Sequence, residues 1–261
     1  MRRRLLKPRR PKPSRIRIQS YAPSKSAREL SHYLGIRRIQ HYNSRFIGRP
    51  QDIIINWGNV KEPHNSFYLN PLDAVQTATN KLATFRALSA ANVSIPMFYT
   101  SINQLDPDTK YLARTDLFSH SGQGIVAGIP SELPDAPLYT RFVDKVAEYR
   151  AIVVGSSVVD FKQKKRKSDW DAERDPHIWN CSQGYVFARN DINHPPEAYS
   201  QAIAAVQALG LRYAAVDIIE DSDGTIYILE LNTAYGIVNT TTEIVGEAIK
   251  QLVYDLKGIR I

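Results

Sequence analysis

The 261-residue sequence contains a single cysteine, Cys181, and it has no apolar run near the roughly 18 residues that a membrane span needs. One cysteine excludes an intrachain disulfide framework and a cysteine-rich zinc site. The N-terminus lacks the apolar segment of a secretory signal, and its prolines interrupt the amphipathic helix of a mitochondrial presequence. We therefore expect a cytoplasmic protein that makes no contact with a membrane.

Positive charge is concentrated at the N-terminus. The chain has 34 Lys and Arg against 26 Asp and Glu, a formal net charge of +8. Nine basic residues and no acidic residue lie in residues 1–17, so the remainder has 25 basic against 26 acidic residues and a net charge of −1. We predict a disordered basic tail over residues 1–14. Such a tail is either a solvated terminus or a contact for nucleic acid or another acidic surface.

Residues 15–70 have the pattern of a short α/β unit. Residues 15–20 alternate like a strand, and the apolar run 52–57 is typical of a buried strand. Between them, Ser24 is placed to cap a helix that ends near Gly35. A helical pattern then opens at Asn70-Pro71 and continues through residues 80–88.

The rest of the chain predicts an antiparallel α+β structure with a substantial core, since 43% of all residues are apolar. Short β-type runs follow each other too closely for parallel crossovers. They lie at residues 97–100, 111–114, 125–127, 138–143, 149–154, 157–161 and 185–188. A helix is predicted over 196–209, a hairpin over 213–220 and 225–231, and a C-terminal helix over 242–256.

The last hairpin brings three polar side chains to one face. Asp223-Gly224 is a strong signal for a two-residue type I′ turn, because both of its central residues need positive φ. With that loop, Asp217 pairs with Glu230, and Asn232 lies on the same face. The opposite face then holds apolar side chains that suit a core: Val216, Ile218, Leu229 and Leu231.

Two carboxylates directly opposite each other destabilise a sheet by roughly 0.2–1 kcal/mol. A bound divalent cation reverses that repulsion. The oxygen ligands of Asp217, Glu230 and Asn232 suit Mg²⁺ or Mn²⁺, with phosphate oxygens and water completing the shell. A solvent-facing acidic pair is the alternative, although the apolar neighbours of Asp217 favour burial.

A glycine-rich segment, Ser121-Gly122-Gln123-Gly124, follows the strand 111–114. It precedes a strand instead of a helix, so it is not a Rossmann turn, and the chain has no Walker motif. Such a loop can cover a phosphate chain with its backbone N–H groups. Lys81, Arg114 and Arg150 are candidate phosphate ligands. The basic run 162–167 is either a solvated loop or a site for phosphate or carboxylate.

The order of these features resembles the ATP-grasp superfamily over residues 71–261. Residues 214–219 and 228–236, with Glu230 and Asn232 forming a Glu-x-Asn element, are similar to the strand pair whose acidic and amide side chains bind the magnesium ions of ATP. Arg114 stands where the family usually has lysine, and Tyr235 where it usually has proline. The similarity is to carboxylate–amine ligases such as the ribosomal-protein glutamate ligase and D-Ala-D-Ala ligase relatives.

The resemblance implies a role for each matching residue. Metal ligands would be Asp217, Glu230 and Asn232, and Arg150 would act near the transferring phosphoryl group. Lys164 and Arg166 would hold an anionic co-substrate. Contacts to ATP would come from the phosphate ligands, the glycine loop, the adenine-reading hinge, the ribose acid and a phosphate-facing asparagine: Lys81, Arg114, Ser121, Gly122, Gly124, Arg141, Phe142, Val143, Glu148 and Asn180.

The resemblance also implies the ATP-grasp fold, in which two α+β subdomains with antiparallel sheets clasp ATP. Here a smaller lobe would span about residues 93–155 and a metal-binding lobe about 156–261, after the α/β unit of residues 15–70. The expected reaction uses ATP and Mg²⁺ or Mn²⁺ to join a carboxylate, such as an amino acid or peptide, to an amine through an acyl phosphate. A small-molecule kinase and a nucleic-acid-associated modifying protein remain alternatives.

Overall fold

The structure, a computed structural model, describes residues 13–40, 44–61, 63–119, 123–167 and 184–261. The expectations for Ser121, Gly122 and Asn180, and for nearly all of the basic tail, lie outside these ranges. Within them the chain forms one four-stranded parallel sheet and two antiparallel sheets of four and five strands. This α+β architecture agrees with the expectation from the sequence. No helix in the described ranges is long and apolar enough to cross a membrane.

The parallel sheet is built from the N-terminal segment. Its strands are β1 (Ile16–Ser20), β2 (Arg37–Arg38), β3 (Ile53–Trp57) and β4 (Phe67–Tyr68), in the order β2-β1-β3-β4. Helix α1 (Lys25–Tyr33) connects β1 to β2, and the Ser24 hydroxyl accepts the Ala27 N–H as predicted. All five residues of β3 are buried, which explains why the sequence reads as a continuous apolar run there.

A buried carboxylate ties the start of β1 to the approach to β3. The Asp52 side chain is fully buried and accepts hydrogen bonds from the side chains of Arg15, at 2.5 Å, and Arg49, at 2.7 Å. It also accepts the backbone N–H groups of both arginines. Burial alone would raise the pKa of Asp52, but these hydrogen bonds outweigh burial and hold the pKa well below its usual range.

We expect Asp52→Asn to lower the free energy of unfolding at neutral pH by about 2–3 kcal/mol, because charge-assisted hydrogen bonds to a buried group are lost. A depressed pKa stabilises the fold above the unfolded-state value of about 4, and this contribution is lost as the pH falls below it. The difference between wild type and variant should therefore shrink in acid. Urea unfolding at neutral and acidic pH measures it, with the exposed Asp108→Asn as control. A difference independent of pH would contradict this account.

Two helices follow the parallel sheet where the sequence predicted one continuing helical stretch. Helix α2 (Leu72–Thr79) and helix α3 (Lys81–Ala90) are divided at Asn80, whose backbone is extended. The Asn80 side chain caps α3 by accepting the Ala83 N–H at 3.0 Å. The division places Lys81 at the first position of α3, and its Nζ donates to the backbone oxygen of Ser119.

The smaller antiparallel sheet has the order β5-β8-β6-β7. Its strands are β5 (Phe98–Tyr99), β6 (Tyr111–Arg114), β7 (Ile125–Gly128) and β8 (Leu138–Arg141). Tyr111, Ala113 and Tyr139 form its core together with Leu133. Strand β6 ends at Arg114, and the glycine-rich segment connects it to β7, as predicted.

The larger antiparallel sheet has the order β11-β10-β9-β12-β13. Its strands are β9 (Lys145–Val154), β10 (Ser157–Arg166), β11 (Tyr185–Ala188), β12 (Tyr213–Asp221) and β13 (Ile226–Asn232). Strands β9 and β10 are longer than predicted. The basic run therefore lies in β10 as far as Arg166, and the interpretation of that run as a loop is wrong.

The two faces of this sheet are covered differently. On one face, Tyr149, Val153 and Val216 pack against helix α4 (Pro196–Ala208). On the other face, Ile152 and Tyr213 pack against helix α5 (Thr240–Lys257) and against the parallel sheet. The apolar packing on this second face ends at Ile152 and Ala215. The next residues along the strands are polar, and they form the candidate site.

The last hairpin has the predicted pairing of Asp217 with Glu230, but its loop length and its register differ from the prediction. Asp221 N–H bonds to Thr225 O, so the loop has three residues, and Gly224 alone of them has positive φ. A type I′ turn was therefore the wrong prediction. A β-bulge between Asp217 and Ile218 shifts the register by one, so Asp217 pairs with Glu230 after all. The bulge also places Ile228 in the core, where Leu229 was predicted.

Candidate functional site

Four charged residues form a row across the larger sheet. Lys162 of β10 pairs with Arg150 of β9, Arg150 with Asp217 of β12, and Asp217 with Glu230 of β13. Directly paired residues of antiparallel strands share a face, so the row presents two cations and two carboxylates side by side. Asn232 lies on the same face of β13, two residues beyond Glu230.

Asp217 is held by an arginine and an amide. Arg150 donates from Nε to Oδ1 at 2.6 Å and from Nη2 to Oδ2 at 2.8 Å, a bidentate pair. Asn232 Nδ2 donates to Asp217 Oδ2 at 3.2 Å. Burial alone would lower the pKa of Arg150, and the Asp217 carboxylate more than offsets this and raises it. Arg150 is thus a permanent cation at the centre of the row.

The donor atoms here fit a hard divalent cation. Asp217 is only 13% exposed, and Glu230 and Asn232 are partly buried. Asn232 donates through Nδ2, and its side-chain carbonyl oxygen is an acceptor that can serve as a third oxygen ligand. In the described ranges no group of three or more His, Cys, Asp and Glu could hold a metal, so any site here combines two carboxylates with an amide. Such an oxygen-only set suits Mg²⁺ or Mn²⁺.

A half-buried lysine and a buried arginine from other elements approach Glu230. Lys81 Nζ donates to the backbone oxygen of Ser119, and Arg114 at the end of β6 is 9% exposed. Burial lowers the pKa of Lys81 and of Arg114, and the Glu230 carboxylate opposes the shift in both. Arg114 Nε is buried and has no hydrogen-bond partner in the described part of the chain. A buried guanidinium nitrogen without an acceptor fits an anionic ligand, as the phosphates of a nucleotide would be.

Glu148, which is expected to bind a ribose, precedes Arg150 by two residues on β9 and is 6% exposed. Its carboxylate forms ion pairs with Lys145, at 2.7 Å, and with Lys164. The structure therefore joins two residues that the sequence assigned to different ligands. Arg150 and Lys164 both lie over the Phe187 ring of β11, at 4.7 and 5.6 Å from its centroid.

The remaining predicted residues lie at the margins. Arg166 is exposed at the end of β10, opposite Tyr185. The predicted hinge, residues 141–143, connects the two antiparallel sheets. Its backbone is fixed by hydrogen bonds from Arg141 N–H to Met97 O at 2.8 Å and from Phe142 N–H to Lys110 O at 2.9 Å. Gly124, in the covering loop, has a φ of +69° and a backbone oxygen that accepts the Thr115 N–H.

Sequence reasoning missed a second polar cluster on the same face. Asp160 accepts hydrogen bonds from Arg189 at 2.8 and 2.9 Å and pairs with Lys162 at 3.0 Å. Thr241, at the start of α5, accepts from Lys162 at 2.9 Å and from Arg189 at 2.6 Å. The basic run signalled Lys162, but no local pattern marks Arg189 or Phe187, which acquire their positions through strand pairing.

In a comparison with protein families, residues 131–255 match the model of the RimK-like ATP-grasp domain. Among curated proteins, the chain is 31% identical over 121 residues to a probable alpha-L-glutamate ligase 1 of Shewanella sp. (strain MR-4), covering 44% of this chain and 37% of that protein. It is 29% identical over 190 residues to the tetrahydromethanopterin:alpha-L-glutamate ligase of Methanocaldococcus jannaschii, covering 63% and 61%. The chain thus spans less than two thirds of either relative.

Solved structures show the same fold at low identity. The ATP-grasp ligase PsnB in complex with a minimal precursor has a TM-score of 0.65 at 11% identity, covering 91% of this chain and 99% of PsnB. D-alanyl-alanine synthetase A of Vibrio cholerae has a TM-score of 0.65 at 12% identity, covering 93% and 98%. The fold and the family model agree with the resemblance found in the sequence: the chain has the ATP-grasp fold, and its residues 131–255 match the model of the RimK-like ATP-grasp domain.

Proposed function

We propose that this protein is an ATP-dependent ligase that joins a carboxylate to an amine and releases ADP and phosphate. One observation carries the proposal: Asp217, Glu230 and Asn232 share a sheet face with Arg150, while Lys81 and Arg114 approach Glu230 from other elements. Carboxylates and cations arranged in this way suit a nucleoside triphosphate that carries a divalent cation. The ligases named among the relatives support the same reaction class.

In this proposal, Lys81 and Arg114 bind the phosphates of ATP, Glu148 accepts the ribose hydroxyls and residues 141–143 contact the adenine. Asp217, Glu230 and Asn232 hold Mg²⁺ or Mn²⁺, which supplies charge neutralisation at the phosphate oxygens. Ser121, Gly122, Gly124 and Asn180 keep their predicted phosphate contacts. We also propose residues 15–70 as a functional unit. The boundary expected between residues 155 and 156 would divide β9 from β10 within the larger sheet, so we place the boundary between the two lobes at the hinge, residues 141–143, instead.

The side chains then have separate tasks in the reaction. Arg150, fixed at Asp217, adds positive charge where the phosphoryl group is transferred. A substrate carboxylate oxygen bonds to the γ-phosphorus while the bond to ADP breaks, which gives an acyl phosphate. The amine bonds to the acyl carbon, loses a proton, and phosphate leaves with the electron pair of the C–O bond. Lys164 and Arg166 hold an anionic co-substrate, and the covering loop excludes water.

A screen of amino acids and short peptides for ADP release in the presence of Mg²⁺ tests the proposal. We expect release that requires an acid, and in hydroxylamine we expect a hydroxamate, the product of an acyl phosphate. Glu220→Gln, which removes a carboxylate on β12 outside the charged row, should release ADP as wild type does. ADP release that yields a stable phosphoester and no amide would assign a kinase reaction and overturn the ligase proposal.

A further inference from the structure

The excess positive charge of the chain lies in its first quarter, and it extends past the basic tail. Residues 1–61 contain sixteen Lys and Arg, twelve of them Arg, against two Asp and Glu. Residues 62–261 contain eighteen Lys and Arg against twenty-four Asp and Glu. The net charges are +14 and −6. Residues 13–61 alone contain nine Lys and Arg against two Asp and Glu, a net charge of +7, which creates a local field that attracts anions to the parallel sheet.

At the β2 edge of that sheet, arginines lie side by side. The parallel register places Arg17 beside Arg37, and Arg38 follows along the edge strand. Arg37 and Arg38 are exposed. Burial, and then the nearby charges of Arg15 and Arg37, lower the pKa of Arg17. Asp52, the buried acid of this unit, is already paired with Arg15 and Arg49, so it does not neutralise the edge.

A cleft of about 640 Å³ opens beside these arginines. It lies at the carboxyl ends of β1 and β2, the end of a parallel sheet where ligands usually bind. Its lining combines cations, an imidazole and hydrogen-bonding groups with apolar side chains, and it includes Ser20, His32, Arg37, Arg38, Ile39 and Gln40. The volume is sufficient for several residues of an extended peptide.

We propose that this cleft and the Arg37–Arg38 edge bind an acidic polypeptide segment, the acceptor that the ligase modifies. This rests on the proposed function for the role of the peptide as acceptor. Guanidinium groups suit carboxylates because they donate pairs of parallel hydrogen bonds. Nucleic acid fits less well, because the described residues that line the cleft include no Phe, Tyr or Trp ring on which a base could stack. The Phe46 ring has guanidinium carbons of Arg15 and Arg17 over it, at 4.7 and 6.0 Å.

Fluorescence anisotropy of a labelled oligoglutamate peptide tests the proposal, with the full chain and no nucleotide. We expect saturable binding that R37E/R38E weakens by about tenfold or more, because two attractions become repulsions. R86E/R260E, the same change of charge at exposed residues outside the parallel sheet, should weaken binding by about twofold or less. R37Q/R38Q should fall between them, and circular dichroism checks that each variant is folded.

Equal weakening by both charge reversals would show long-range attraction without a site and would overturn the proposal. So would equal binding of an oligoglutamine peptide. Tighter binding of an oligothymidylate that is lost in R37E/R38E would assign the surface to nucleic acid instead. ADP release with free amino acids is measured separately in R37E/R38E. If wild type releases ADP but does not bind the peptide saturably, this inference alone fails. If wild type binds the peptide but releases no ADP, the ligase proposal alone fails.

Discussion

Replacing Asp217 with asparagine is expected to lower the rate of ADP release by roughly 10²–10³-fold, as loss of one electrostatic group at a reacting phosphate does. The variant keeps the size of the side chain and an oxygen for the Asn232 amide, but it removes the charge that faces Arg150 and the proposed metal position. A metal-linked loss should be relieved in part by raising the Mg²⁺ or Mn²⁺ concentration. Steady-state ADP release across a range of metal concentrations measures this.

The matched control for this experiment is Asp223→Asn, the same chemical change in the exposed turn of the same hairpin. It should leave ADP release unchanged. Asp217→Asn also loses a charge-assisted pair to Arg150, worth about 1–3 kcal/mol of stability, so both proteins are assayed well below their unfolding temperatures. Equal ATP turnover in Asp217→Asn and wild type would contradict the proposed role of Asp217 as a metal ligand.

The second large effect is expected from Arg114→Met, which should lower kcat/KM for ATP by roughly 10²-fold or more. Arg114 is a buried cation whose Nε lacks an acceptor in the described part of the chain. Its burial therefore costs the folded protein free energy unless an anion is bound. Methionine has a similar volume, and we expect the free energy of unfolding to stay unchanged or to rise by up to about 1–3 kcal/mol.

Arg114→Met should thus lose activity without losing stability, which the replacement of a purely structural residue would not produce. Arg114→Lys keeps a cation at the end of β6 and should recover most of kcat/KM. Urea unfolding with and without ATP provides a further readout: ATP should stabilise wild type more than Arg114→Met. A methionine variant that is destabilised yet fully active would show that Arg114 serves the fold alone.

The hairpin that carries Asp217 shows how far local reasoning reaches. Turn residues and alternation predicted that Asp217 faces Glu230, and this pairing is present. Yet the loop length was wrong, and a bulge at the level of Ile218 compensates for it. A bulge depends on how β13 meets β12 and packs Ile228 into the core, and no residue of the hairpin marks it in the sequence.

Short-range chemistry in the sequence by itself determined the elements of this protein: Ser24 caps a helix, polar–apolar alternation forms β1, an apolar run forms β3, and the Asp217 hairpin forms with its acidic face. The tertiary structure alone decided which charges meet. Strand order placed Arg150 between Lys162 and Asp217 and joined Lys164 to Glu148, although these residues are far apart in the chain. The reason is physical: capping, turns and alternation act over a few residues, whereas sheet register depends on packing of the whole core.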